Sequence, residues 1–136
     1  MRLSQLVITY ALSLVTFLAL DFLWLGLVAK GFYRTHMGDL MRADIRWFPA
    51  FVFYGLFVFA LLIFVVLPAT GRGSLSCAVG LGALFGLVTY ATYDLTNMAV
   101  LEGFSARLAV VDMAWGTILS TVVSVAGYLV LSNLAS

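Results

Sequence analysis

Four long apolar stretches occupy most of this 136-residue chain. They cover roughly residues 5–29, 47–69, 75–98 and 107–131, called spans 1 to 4 here. Each has the ~20 residues that an α-helix needs to cross the hydrocarbon core of a bilayer. Backbone groups that face lipid must form their hydrogen bonds within the segment, and these stretches are too long for barrel strands. We therefore predict an all-α integral membrane four-helix bundle, with residues 1–136 forming a single transmembrane domain.

The composition agrees with lipid as the solvent for this surface. Hydrophobic residues make up 64% of the chain and charged residues 10%, against about 45–50% and 25% in soluble domains. A chain this short cannot bury so much apolar surface by itself. The net charge of +1 argues against a nucleic-acid partner, so we expect the lipid bilayer as the partner and no nucleic acid. The single cysteine, Cys77, excludes an internal disulfide and a multi-cysteine metal site.

The links between the spans predict topology and orientation. Short links make spans 2, 3 and 4 antiparallel neighbours, and Ser105 is expected to cap span 4. The longer link, residues 30–46, has apolar residues near helical spacing and basic residues on the other face. This pattern predicts an interfacial amphipathic helix, and the alternative is a cytoplasmic extension of span 2.

The distribution of lysine and arginine predicts which side is cytoplasmic. We call the face that carries the N-terminus side A and the opposite face side B. Basic residues in short links favour the cytoplasmic side, so we expect both termini outside and residues 30–46 in the cytoplasm. The basic residues on side A are Arg2 and Arg72, and those on side B are Lys30, Arg34, Arg42, Arg46 and Arg107.

Spans 1, 3 and 4 each contain one aspartate: Asp21, Asp94 and Asp112. A carboxylate at mid-membrane costs about 2.5–3.5 kcal/mol on insertion scales, so such residues normally face the protein interior. Because the spans alternate in direction, all three acids fall in the side B half, within ~5–12 Å of mid-membrane. We therefore predict that they converge. Span 2, whose ionisable residue is Tyr54, is expected to be the most lipid-exposed.

Polar and aromatic residues accompany these acids. Tyr90, Asp94 and Asn97 share one face of span 3, and Tyr93 is one turn from Asn97. The segment D-x-x-W occurs in span 1 and again in span 4, as an inverted repeat predicts or by chance. The candidate ligand-binding residues are Asp21, Trp24, Tyr90, Tyr93, Asp94, Asn97, Asp112 and Trp115.

Small residues at four-residue spacing indicate close helix packing. Such seams let two membrane helices approach backbone to backbone, and we expect spans 3 and 4 to pack in this way. If the seam is not used within the bundle, it is available for a homo-oligomer. Its members are Gly82, Gly86, Gly116, Ser120 and Ser124.

The sequence gives little support for a metal or cofactor. His36 and Asp39 are two weak ligands in the link, and a solvated histidine is the alternative, so we expect no metal site. No histidine lies within a span to bind a haem, and no span contains a lysine for a retinal Schiff base. We expect no cofactor, and no residue is identified as catalytic.

Three segments resemble the predicted membrane proteins called domain of unknown function 2177. They are D-F-L-W-L-G-L-V-A-K-G-F-Y-R (Asp21–Arg34), Y-A-T-Y-D-L-T-N-M-A-V-L-E-G-F (Tyr90–Phe104) and V-D-M-A-W-G-T (Val111–Thr117). The resemblance implies a small four-span protein of the bacterial inner (cytoplasmic) membrane. It also implies an association with lipid-modifying enzymes of the cyclopropane fatty acid synthase kind, and so a lipid-modifying enzyme as a partner. It implies no activity.

The acids have two interpretations, a structural and a functional one. They can fix the bundle through interhelical hydrogen bonds, or they can line a pocket with the aromatic residues. Our leading hypothesis is a pocket of spans 1, 3 and 4 that binds a lipid or another amphipathic small molecule. The alternatives are a small proton-coupled membrane transporter and a membrane enzyme of lipid modification with an aspartate as general acid or base.

Overall fold

The computed structural model describes residues 2–28, 30–38 and 46–136. Four helices in it are long and apolar enough to cross a membrane: α1 (Leu3–Leu27), α3 (Trp47–Arg72), α4 (Leu75–Val100) and α5 (Ala106–Ala135). A shorter helix, α2 (Lys30–Met37), follows α1. The described residues form no strand, and the predicted all-α membrane bundle is confirmed.

Local sequence signals set the ends of the helices. α4 begins after Ser74, whose hydroxyl oxygen accepts a hydrogen bond from the Cys77 N–H at 3.1 Å. α5 begins after Ser105, as predicted, and the Ser105 hydroxyl accepts from the Leu108 N–H at 3.3 Å. Such caps pair N–H groups that a first helical turn leaves without partners. Gly73 ends α3 with φ 59, a left-handed conformation that glycine adopts without steric cost.

α3 extends one turn further than the sequence predicts. Pro68 has no N–H, and its ring crowds the carbonyl group four residues earlier. The helix accommodates this proline through a π-helical turn, Leu62–Val66, in which the Leu67 N–H donates to the Leu62 carbonyl. It then regains α geometry and ends at Arg72. Pro68 therefore distorts α3 instead of ending it.

α5 is the central helix of the bundle, because it packs against α4, α1 and α3. Its contacts with α1 run in opposite chain directions. At one end Gln5 Nε2 donates to the Leu134 carbonyl at 2.9 Å, and towards the other end the Trp115 indole donates to Asp21 at 3.2 Å. These pairs confirm that α1 and α5 are antiparallel.

α4 and α5 touch through the predicted small-residue seam. A Cβ atom on Gly82 would lie 2.6 Å from the Ser124 hydroxyl oxygen, and one on Gly86 would lie 2.4 Å from the Gly116 carbonyl oxygen. These distances are well inside van der Waals contact, so the two backbones meet directly. The seam is used within the bundle, and the condition set for a homo-oligomer is not met. The residues are Gly82, Gly86, Gly116, Ser120 and Ser124.

The apolar core lies where α1, α3 and α5 meet. Phe17, Leu61 and Leu119 are each fully buried in it. α3 has the largest buried share of the four membrane helices, so the expectation that span 2 is the most lipid-exposed is wrong. The physical reason is that a helix core and lipid are equally apolar, and a lack of polar groups does not distinguish the two surroundings.

α2 packs against the side B end of α5. Its residues Phe32, Tyr33 and Met37 contact a small cluster that includes Phe104 and Leu108, while its other face is exposed. An amphipathic helix is thus present in the link, and it is separate from α3, which begins after Arg46. The predicted helical residues at 39–45 lie outside the described part of the chain.

Candidate functional site

Asp21 in α1 is held by two other membrane helices. Its side chain is buried, and the Trp115 indole N–H of α5 donates to its carboxyl group at 3.2 Å. The Tyr54 hydroxyl of α3 lies within hydrogen-bonding reach of the same carboxyl group. Buried polar groups require such partners, and Asp21 therefore ties α1, α3 and α5 together.

Asp112 in α5 is held through α2. The Tyr33 hydroxyl donates to Asp112 Oδ1 at 2.6 Å and accepts from the Trp24 indole N–H at 3.3 Å. Burial and the neighbouring carboxyl group of Asp112 raise the pKa of Tyr33, so its hydroxyl stays protonated at neutral pH. Short hydrogen bonds to a carboxylate are among the stronger kinds in proteins, and this bond anchors α2 to the bundle.

The two D-x-x-W segments meet in space. Trp115 of the second segment donates to Asp21 of the first, and Trp24 of the first reaches Asp112 of the second through the Tyr33 hydroxyl. The indole rings stack with their centroids 4.5 Å apart and their planes 6° apart. Each aspartate is thus linked by hydrogen bonds to the tryptophan of the other segment, directly for Asp21 and through the Tyr33 hydroxyl for Asp112.

Asp94 in α4 has different surroundings. Its side chain is fully buried, yet neither carboxyl oxygen accepts a hydrogen bond from a donor in the described part of the chain. Its polar neighbour is the carboxyl group of Asp112, within hydrogen-bonding reach. Two adjacent carboxyl groups repel when both are ionised and are held together when a proton or a cation lies between them. The pair therefore has binding capacity that the neighbouring protein groups do not use.

Two cavities adjoin the carboxyl pair. The first has a volume of about 290 Å³ and is lined by Phe53 of α3, by Asp112, and by Thr89, Tyr90 and Tyr93 of α4. Three of these five residues are aromatic. We call this space the lateral cavity, because it opens on the side of the bundle.

The second cavity lies between α2, α4 and the start of α5, and we call it the interfacial cavity. Its volume is about 250 Å³, and its walls include Tyr33, Asp94 and Phe104. Tyr93 and Asp112 belong to the walls of both cavities, so the two spaces adjoin at these side chains, and Asp94 lines only the interfacial cavity. Each volume is close to the lower end of the range for small-molecule pockets, about 300–1,000 Å³.

The lateral cavity results from the way α3 leans across the bundle. Residues 62–72 of α3 pack against α4, whereas the first part of α3, Trp47–Leu61, packs mainly against α1. Towards side B, α3 and α4 touch only through long side chains. An example near the middle of both helices is the contact between the Phe57 and Phe85 rings, whose centroids lie 5.2 Å apart. Phe53 and Tyr93 are half-exposed at the opening. The cavity therefore opens between α3 and α4, on the surface of the bundle that contacts lipid.

The structure brings the three acids together in the side B half, as predicted, but gives the candidate residues different positions. Those that line a cavity are Tyr90, Tyr93, Asp94 and Asp112. Those that form the hydrogen-bonded and stacked frame beside the cavities are Asp21, Trp24 and Trp115, together with Asp112. Asn97 lies within hydrogen-bonding reach of Tyr93 and lines neither cavity.

The residues of this region that are not among the sequence candidates include Tyr33, Phe53, Tyr54 and Phe104. Tyr54 carries a usable signal, because a buried tyrosine hydroxyl needs a partner and it is the ionisable residue of span 2. The apolar face of the link predicts that Tyr33 packs inward but not that it reaches Asp112. Phe53 and Phe104 carry no signal, since phenylalanine suits a lipid-facing surface and a cavity wall equally well.

No group of three or more histidine, cysteine or acidic side chains that suits a metal ion occurs among residues 2–28, 30–38 and 46–136. His36 contacts its own helix, with Nδ1 2.9 Å from the Phe32 carbonyl oxygen and its ring 4.1 Å from the Phe32 ring. Asp39 lies outside the described residues. The polar chemistry that the structure does describe is thus concentrated at the three aspartates.

Comparison with known proteins agrees with this architecture. Residues 6–129 match the family described as predicted membrane protein (DUF2177). No curated protein and no solved structure matches the chain. The matched stretch includes all three acids and both tryptophans of the D-x-x-W segments. The chain therefore belongs to this family of predicted membrane proteins, as the resemblance of its motifs implies.

Proposed function

We propose that this protein binds an amphipathic molecule, either a lipid or a lipid-like small molecule. Its polar head would lie at Asp94 and Asp112, and its apolar part in the lateral cavity. The observation that carries the proposal is Asp94. Its fully buried carboxyl group has no hydrogen-bond donor among the described residues, and it belongs to the wall of the interfacial cavity. Leaving a buried polar group unpaired costs about 1–3 kcal/mol, and a ligand head supplies the missing partner.

The shape of the site supports a ligand with two ends. The acidic end lies in the side B half, beneath the amphipathic helix α2. The other end is the lateral cavity, whose lining is aromatic apart from Thr89 and Asp112. A lipid chain can enter between α3 and α4 without passing through water, whereas a ligand from water would not need this opening.

The frame beside the cavities supports the same proposal. Binding sites act best when neighbouring interactions hold their groups in place before the ligand arrives. Here the stacked Trp24 and Trp115 rings and the hydrogen bond from Tyr33 fix α5 and Asp112. Asp94 is thus left as the group with free binding capacity, on a wall whose position is already set.

Filling the lateral cavity tests the proposal. Thr89 lines the cavity and Thr92 lies one turn away on the exposed face of α4, and each hydroxyl donates to a carbonyl of its own helix. We expect native mass spectrometry of gently extracted wild-type protein to show a bound amphipathic molecule. Thr89→Phe should lose it, and Thr92→Phe, the matched control, should keep it.

Thermal unfolding of the three proteins in detergent checks that Thr89→Phe still folds. Equal occupancy in wild type, Thr89→Phe and Thr92→Phe would place the bound molecule elsewhere on the surface. A wild-type protein that stays empty after incubation with a total lipid extract would also overturn the proposal. The Asp94→Asn and Asp112→Asn variants then show whether the carboxyl pair holds the head.

A proton-coupled transporter is the second candidate, and one observation favours it. Asp94 and Asp112 belong to different helices and lie within hydrogen-bonding reach, so a proton shared between them would be sensitive to a relative movement of α4 and α5. The transporter hypothesis predicts proton flux linked to substrate in liposomes and its loss in Asp94→Asn. Unchanged transport by that variant would exclude Asp94 as the proton carrier.

A membrane enzyme of lipid modification and a lipid-modifying partner enzyme stay predictions. Turnover of candidate lipids by the purified protein tests the first, and co-purification with such an enzyme tests the second. The observation that favours binding over turnover is the lateral cavity itself, because it offers room for a chain.

A further inference from the structure

We propose that the head of the bound amphipathic molecule is cationic, an ammonium group held by the carboxyl groups of Asp94 and Asp112 and the aromatic wall of the lateral cavity. This inference rests on the proposed function and specifies the substrate class. It depends on the negative charge of the acids and on the attraction between aromatic rings and a cation, whereas the proposed function requires only a polar head and an apolar part. It therefore fails separately if the protein binds neutral amphiphiles equally well.

The charge balance of the site is the first step. The charged side chain beside Asp94 is that of Asp112, and Asp112 is also the charged neighbour of Asp21. The side B basic residues whose side chains the structure describes are Arg34, Arg46 and Arg107, and all three are exposed. A buried acid without a cation is costly to ionise, so a positively charged head is the ligand that this site lacks. A phosphate or carboxylate head would add to the repulsion.

The aromatic wall is the second step, and it selects an organic cation. Phe53, Tyr90 and Tyr93 line the lateral cavity together with Asp112. The faces of aromatic rings attract ammonium groups, most strongly when water is excluded, and quaternary ammonium ligands are recognised in this way. A metal ion would gain little here, because metal sites require three or more ligand groups and the described residues form no such group.

The test compares two single-chain probes that differ in head charge. Dodecyltrimethylammonium carries a fixed positive charge, and dodecyldimethylphosphine oxide carries a neutral polar head on the same chain. Binding is measured by native mass spectrometry in a neutral detergent over a range of probe concentrations. We expect the ammonium probe to bind about tenfold more tightly, as a cation in a desolvated acidic and aromatic site should.

Three variants locate the preference. Asp94→Asn removes a charge and should bring the two affinities close together. Phe53→Leu should weaken the ammonium probe more than the neutral one, while Phe51→Leu, an exposed position of the same helix outside both cavities, should change neither.

The outcomes separate the two proposals. If both probes bind equally and Thr89→Phe blocks both, the amphiphile site stands and the cationic head is wrong. If neither probe binds, the amphiphile site is wrong as well. Tetramethylammonium, the head without a chain, serves as a competitor: displacement only at far higher concentration supports an amphipathic cation. Displacement at equal concentration indicates a small-cation site and overturns the amphiphile proposal.

Discussion

At the scale of single residues, three aspartates at similar depth differ because of the donors around them. Asp21 has the Trp115 indole and the nearby Tyr54 hydroxyl, and Asp112 has the Tyr33 hydroxyl. Asp94 is the most deeply buried of the three and has no donor among the described residues. Burial without compensation weakens folding, and such an exception in a native structure requires an explanation. A ligand that pairs with Asp94 provides one.

Leucine substitutions separate a structural from a functional acid. Asp21→Leu leaves the donors of Trp115 and Tyr54 unpaired, and we expect a loss of about 1–3 kcal/mol in the free energy of unfolding. Asp94→Leu removes a buried group that has no donor and replaces it with an apolar one of similar shape. It should be neutral or stabilising. Thermal unfolding in detergent measures the stability of both variants. Equal destabilisation would mean that Asp94 also stabilises the packing of the helices.

Glycines of α4 provide a second residue-scale prediction. A Cβ on Gly86 would lie 2.4 Å from the Gly116 carbonyl oxygen, which is backbone and cannot rotate away, whereas a Cβ on Gly80 meets nothing within 4 Å. Gly86→Ala should therefore force α4 and α5 apart at a cost of about 1–3 kcal/mol. Gly80→Ala, the matched control, should be neutral or slightly stabilising, since alanine is the better helix former. Similar unfolding temperatures for the two variants would contradict the close backbone contact.

At the scale of the helices, the sequence predicts which residues share a face but not which way that face turns. The seam of Gly82 and Gly86 and the convergence of the acids follow from spacing and alternating direction alone. The rotation of α3 does not, because lipid and protein core are both apolar. Phe53 therefore belongs to the cavity wall although no sequence pattern predicts it. The crossed pairing of Trp115 with Asp21 likewise depends on helix rotation and on the docking of α2.

The docking of α2 depends on one hydrogen bond and a small apolar contact. Tyr33→Phe keeps the ring against Phe104 and Leu108 but removes the hydroxyl that donates to Asp112. Hydrogen bonds to charged groups contribute about 1.5–3 kcal/mol, so the backbone amides of α2 should exchange with deuterium at least about tenfold faster.

Thr35→Ala is the control for this experiment. Thr35 is on the exposed face of α2, and its hydroxyl donates only to the Gly31 carbonyl of the same helix. Its exchange should match that of the wild type. Unchanged exchange in Tyr33→Phe would mean that the apolar contacts hold α2 without the hydrogen bond.

At the scale of the whole molecule, the two halves of the bundle have different characters. The side A half holds two cavities without a charged side chain in their walls, one of about 300 Å³ between α1 and α3 and one of about 260 Å³ between α3 and α4. The side B half holds the three aspartates, the stacked tryptophans, the lateral cavity and the interfacial cavity. Open space thus occurs in both halves, and among the described cavities those with a carboxyl group in their walls lie in the side B half. This difference favours a ligand whose polar head lies at side B.

The distribution of basic residues predicts which side of the membrane this site faces. The exposed arginines Arg34, Arg46 and Arg107 lie at side B, against Arg2 and Arg72 at side A, and basic links favour the cytoplasm. In a bacterial host we expect alkaline phosphatase fused to the C-terminus to be active and green fluorescent protein there to be dark. Fusions after Gly103, in the link between α4 and α5, should give the opposite pattern. Reversed signals at both positions would place the acidic site at the outer face while leaving its internal geometry unchanged, because the helices alternate in direction whichever way the bundle is inserted. The ligand would then have to come from the outer leaflet, so the orientation would decide which leaflet supplies the proposed ligand.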